Sequence, residues 1–261
     1  MNTPRVFLFL TAALVISAHA ADPATVSFPE PQPAGFAGTE IAVSVRIENR
    51  GDAAIVSKFS ARLWQMSSAT LVPLGDALPL WDGRIEAGKS ADAVAKIALP
   101  DFRAATRLRL QVLAADGTPA GKVDVTVIPR DWLRGEIAAL PAPPALYDPA
   151  SRIAPAFAKL GIETVPLRET ADFANVRAGL VVIVSPKEQI ESLTADARRL
   201  IARGVGVVFI QPVEVQAKDA MVRGVLPPDT DFAESASAQF RLVQWLREAL
   251  KRKQPPTPTA P

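Results

Sequence analysis

The apolar residues of this chain keep one period up to a run of prolines and another period after it. Before Leu140, Pro141, Ala142, Pro143 and Pro144 they alternate with polar residues, the repeat of a strand with one buried face. Beyond that run they come as short continuous stretches or at helical spacing. The pattern predicts two units in succession, a β-sandwich and then a small α/β domain. The proline run reads as an extended linker, because proline removes a backbone donor and breaks helix. The boundaries this gives are 1–20 for a targeting segment, 21–140 for the sandwich, 141–253 for the α/β domain and 254–261 for a disordered tail.

In the first unit Ile41, Val43, Val45 and Ile47 alternate with Ala42, Ser44, Arg46 and Glu48, and Asn49, Arg50, Gly51 and Asp52 supply turn chemistry. Phe59, Ala61 and Leu63 alternate with Ser60, Arg62 and Trp64. Leu108, Leu110 and Val112 face Val123, Val125 and Val127 across a turn at Ala115, Asp116 and Gly117, which predicts a hairpin. Strands with one apolar face each imply two sheets packed face to face, an immunoglobulin-like β-sandwich with no disulfide between its sheets.

In the second unit Ala145 to Tyr147 predicts a short strand ended by Asp148 and Pro149. A helix with Ile153, Phe157 and Leu160 on one face follows, capped near Ser151 and stopped by Gly161. Ile162 to Leu167, Gly179 to Val184 and Val205 to Ile210 read as further strands. Glu188 to Arg203 and a stretch from Phe232 to Leu250 read as helices. The result is a small, mostly parallel sheet of flavodoxin-like character. Ligands of such sheets bind beyond the carboxyl ends of the strands, here Tyr147 and Asp148, Leu167 and Arg168, Ser185 and Pro186, and Gln211 and Pro212. None of these ends carries a glycine-rich phosphate loop, which argues against dinucleotides; no cofactor is expected.

Arg5, the apolar run Val6 to Ile16 and the small-residue box Ala18, His19, Ala20 predict a signal peptide cleaved before Ala21, and so export to a periplasm or beyond. Cleavage removes His19, the one histidine, from a chain without cysteine. Catalysis through an imidazole or a thiol is thereby excluded for the mature form. A formal net charge of +2 with acids and bases interspersed argues against nucleic-acid partners. Trp81, Asp82 and Gly83 read as a turn that sets an indole beside a carboxylate, a sugar-stacking candidate; Trp64 and Trp132 are expected to serve packing. The candidate ligand-binding residues are therefore Trp81, Asp82, Tyr147, Asp148, Ser185 and Gln211, with no metal site and no catalytic set. Ser185, activated by Lys187, is the one nucleophile a hydrolase reading has, set against a plain capping role for the serine ahead of Pro186. In the last helix Trp245, Arg247, Lys251, Arg252 and Lys253 also fit a membrane interface, but the expectation is packing on the sheet with the charges at the helix C-terminus.

The stretch Leu193, Thr194, Ala195, Asp196, and then Leu200 through Gly204, Val205, Gly206, Val207 and Val208, resembles class I glutamine amidotransferase-like domains. Active members of that family place a cysteine nucleophile at the next strand end, where this chain has Phe209, Ile210, Gln211, Pro212 and Val213. The resemblance therefore implies a non-catalytic member. The order of the two units resembles the C-terminal part of bacterial β-galactosidase-like glycoside hydrolases of family 2. Val45 to Asn49, Val125 to Pro129, the turn Tyr147, Asp148, Pro149 and the helix end Leu160, Gly161, Ile162 carry that likeness. Their catalytic barrel and its two carboxylates have no counterpart here. The resemblance implies an accessory module near carbohydrate processing or envelope assembly, with a protein or a glycan as partner.

Overall fold

The structure, a computed structural model, describes residues 24–67, 70–212 and 221–253. The expected signal peptide, the tail and Val213 lie outside the described residues.

Alternation in the first half builds two sheets over one core. Strands β1 (Ala24–Ser27), β3 (Glu40–Asn49) and β6 (Ser90–Ala98) form an antiparallel sheet in the order β1-β3-β6. Strands β2 (Ala34–Phe36), β4 (Ile55–Met66), β5 (Leu71–Ile85), β7 (Thr106–Leu113) and β8 (Pro119–Ile128) form the other, in the order β2-β8-β7-β4-β5. Val43, Ala95 and Ile97 of the first sheet pack with Leu63, Leu108, Leu110, Val123 and Val125 of the second. The hairpin expected from Leu108 to Val127 is β7 and β8, with Leu110 opposite Val123. Asn49 is buried; its amide donates to the carbonyls of Ala53 and Ile85 and its oxygen accepts from Gly51 N–H, which pins the turn to the end of β5.

The second half is a five-stranded, fully parallel sheet in the order β10-β9-β11-β12-β13. Its strands are β9 (Ala145–Tyr147), β10 (Val165–Leu167), β11 (Leu180–Val184), β12 (Gly206–Gln211) and β13 (Val222–Val225). Helices α1 (Trp132–Ala138), α2 (Ala154–Lys159) and α4 (Ala236–Lys253) cover one face through Leu133, Ile137, Phe157, Leu242 and Leu246, which pack on Leu146, Val182, Val184, Val208 and Ile210. Helix α3 (Ile190–Ala202) and a 3-10 turn (Thr170–Asn175) cover the other, where Leu193, Ala197, Leu200 and Phe173 meet Tyr147, Val181, Ile183, Val207 and Phe209. Successive residues of β11 thus go to opposite cores, so the strand is apolar throughout.

Several local expectations are corrected. β13 and α1 were not expected. Leu133 and Ile137 of α1 join the core of the α/β half although the helix precedes the proline run, and Trp132 packs both there and on Phe36 and Ile128. α2 starts at Ala154, and Ser151 does not cap it; Ser151 has a φ of 50° instead. The 3-10 turn Lys187–Gln189 leads into α3, and Ser185 Oγ donates to the Pro186 carbonyl rather than capping a helix. Trp245 lies over Gly224 of β13, where a Cβ would come within 2.5 Å of the indole. Arg247 pairs with Glu136 and Arg252 with Glu248. Among the described residues no helix is long and apolar enough to cross a membrane.

Helix α4 also serves the first half. Ser237 Oγ accepts from Ala34 N–H and donates to the Ala34 carbonyl, both at 3.2 Å. Arg241 reaches Glu30 at 2.8 Å and Gln244 reaches Gln32 at 3.1 Å. Phe36, Ile128 and Ala236 close a small core there with Trp132 and Phe240. Glu234 binds both Arg130 and Lys159 beside it.

Candidate functional site

The parallel sheet reverses its winding between β9 and β11, so the crevice beyond their carboxyl ends is where the fold would place a ligand. Tyr147, Asp148, Ser185 and Gln211 all stand at this edge. The polar groups of Asp148, Ser185 and Gln211, however, each find a partner outside this set. The Asp148 carboxylate accepts from the backbone N–H groups of Arg152, Ile153 and Ala154 at 2.9, 2.7 and 2.9 Å. It supplies the cap that the sequence placed near Ser151. Arg152 donates to the carbonyls of Leu226 and Pro227, which follow β13, at 2.6 and 2.7 Å.

Ser185 is fully buried, and its hydroxyl is engaged by Pro186. Gln211 is 1% exposed; its side-chain oxygen faces Arg223 at 3.5 Å, and Arg223 stacks over Phe209. Tyr147 packs edge-on against Phe173, with ring centroids 5.2 Å apart. Burial pushes its phenol up from the usual range, and the charge of Asp196 adds to the shift. The edge holds a cap, a strap and two cores together.

Trp81 and Asp82 are not part of this group. They sit inside β5, opposite Phe59 and Lys58, and not in a turn. Trp81 shares the inward face with Phe59 and packs on the core at Val45, Ile47 and Val112. Asp82 pairs with Lys58 at 2.8 Å. The indole that turns outward is Trp64, beside the buried Leu63.

The outer face of the five-stranded sheet gathers residues that sequence reasoning passed over. Trp64, Arg109 and Asp124 are register neighbours across β4, β7 and β8; Arg62, Gln111 and Lys122 form the next row, and Arg107 stands opposite Thr126. Arg109 binds Asp124 at 3.0 Å. The Arg62 guanidinium lies 5.9 Å from the centre of the Trp64 ring. Arg62 Nε and Trp64 Nε1 are shielded from solvent with no hydrogen-bond partner among the described residues. Where this face meets α4 a groove of about 500 Å³ opens, lined by Arg107, Arg109, Lys122, Thr126, Phe240 and Gln244. Strand alternation was the one sequence signal for these side chains, since each lies one step from a buried apolar residue.

No protein family model and no curated protein matches the chain. Among solved structures it is similar to an alkylpurine DNA glycosylase of Pseudomonas fluorescens bound to DNA, at 13% identity and a TM-score of 0.33, over 41% of this chain and 30% of that one. It is similar at 14% identity and a TM-score of 0.32 to a β-glucosidase of Listeria innocua, over 40% of this chain and 16% of that one. A Niemann-Pick type C2 protein from the Japanese carpenter ant aligns at 13% identity and a TM-score of 0.29, over 40% of this chain and 88% of that one. The chain thus spans less than a third of the first two proteins, and likenesses this slight carry no argument about its fold or activity.

Proposed function

We propose that the chain is an exported, non-catalytic binding module that serves carbohydrate processing or envelope protein assembly, with a glycan or a protein as partner. The observation that carries this reading is the state of the strand-end crevice. Its carboxylate, hydroxyl and amide are each engaged in holding a helix, a turn or a neighbouring strand. Acid–base or nucleophilic work needs such a group within reach of a substrate.

The finer fold reading belongs to the same proposal: an immunoglobulin-like sandwich followed by an amidotransferase-like domain. It is supported by the divided leading edge, where β1 pairs antiparallel with β3 and β2 crosses over to run parallel to β8. The β10-β9-β11-β12-β13 order fits the flavodoxin-like arrangement of the second unit. Export rests on the N-terminal sequence pattern alone.

The test is a glycan array probed with the purified chain from Ala21, run beside a pulldown from envelope extract. Saturable capture of a glycan class or of one protein supports the reading. Turnover of an ester, amide or glycoside substrate that disappears in Ser185→Ala would overturn it.

A further inference from the structure

We infer that the groove between the outer sheet face and α4 is a binding site for an acidic glycan, a sugar chain bearing carboxylates. The inference deepens the module reading above and rests on it. The groove is concave, lies where the two halves meet, and at about 500 Å³ is of a size that holds small ligands.

Its charge is one-sided. Arg107, Arg109 and Lys122 line it, and the carboxylate among them, Asp124, is already held by Arg109. Arg107 and Lys122 are exposed, and neither forms an ion pair among the described residues, although Asp124 lies in the same groove. They offer charge-assisted hydrogen bonds to a carboxylate, and Arg107 can do so with two parallel donors.

The remaining lining suits a sugar more than a bare anion. Thr126 offers a hydroxyl, the Gln244 amide donates to Gln32 and leaves its own oxygen and the Gln32 amide group for ring hydroxyls, and the Phe240 ring gives an apolar surface.

Titration calorimetry of the chain from Ala21 with a hexameric oligogalacturonate tests the assignment. The comparison ligands are its methyl ester, which keeps the sugar and masks the charge, and polyglutamate of matched length. Binding of the free acid is expected to exceed that of the ester, to weaken with salt, and to fall roughly tenfold with each of Arg107→Gln and Lys122→Gln. Lys96→Gln, an equal loss of charge on the exposed face of the other sheet, should leave it unchanged. Galacturonate binding that survives both groove substitutions overturns the groove and leaves the module reading standing. Polyglutamate bound as tightly as the sugar assigns the groove to an acidic protein segment and overturns the glycan. Absence of binding to the free acid overturns the inference outright.

Discussion

The carboxyl edge of the parallel sheet and the outer face of the five-stranded sheet hold similar polar residues in opposite circumstances. At the sheet edge Asp148, Arg152, Ser185 and Gln211 are each satisfied by neighbours in the chain. On the outer face Arg107 and Lys122 form no ion pair among the described residues, and Arg62 Nε and Trp64 Nε1 find no acceptor there, as is also true of the inward Trp81 Nε1. Topology points to the first place and chemistry to the second. Position in a fold says where a ligand could sit, whereas unfilled hydrogen-bonding and charge capacity says where one is wanted.

The sharpest way to break the comparison is Asp148→Ala. If the carboxylate is a cap, three backbone donors lose their acceptor and stability falls by about 2–3 kcal/mol, read from urea denaturation. Ligand binding at the groove should not change. A variant as stable as the parent would mark Asp148 as a group kept for something other than structure.

The two tryptophans give the next test. Trp81→Ala removes an indole packed against the core and should cost about 2 kcal/mol. Trp64→Ala, on the outward face, should cost under about 1 kcal/mol, since partly exposed side chains lose little on truncation. Equal losses in the two melts would erase the distinction between inner and outer indole.

Ser185→Ala should change stability by about 1 kcal/mol or less, because one neutral hydrogen bond is lost and the cavity is one atom wide.

The smallest effect concerns pH at the junction. Lys159 and then Arg130 hold the Glu234 carboxyl below its ordinary range, and Glu234 in turn raises Lys159. A depressed acid stabilises the fold above its unfolded value, and the contribution is lost as pH falls through the folded one. Amide exchange at Ala34 and Ser237 should therefore quicken in the acid range while exchange in β11 stays slow. Uniform quickening would detach the junction from this clamp.

Much of the architecture was legible because period follows burial. Val43, Val45 and Ile47 alternate since one side of β3 meets the core, and Leu180 to Val184 do not since both sides of β11 do. β13 escaped notice because Val222 to Val225 is short and carries Gly224, whose reason is the indole above it. α1 escaped because prolines bracket it and Gly135 interrupts it, so its local signal reads as loop. Trp81, Asp82 and Gly83 look like a turn, but pairing with β4 overrides that chemistry and carries Trp81 inward. The cations of the outer face are interspersed along the chain. They converge once the registers of β4, β7 and β8 are known, and register is a long-range property.

On the inference above, recognition occurs at the junction groove and not at the strand ends. The most direct measurement is the backbone NMR spectrum of the chain from Ala21 during titration with the acidic oligosaccharide. Shifts are expected to concentrate at Arg107 to Gln111, Lys122 to Thr126 and Phe240 to Gln244. Shifts concentrated at Tyr147 to Arg152, Ser185 and Gln211 would contradict it.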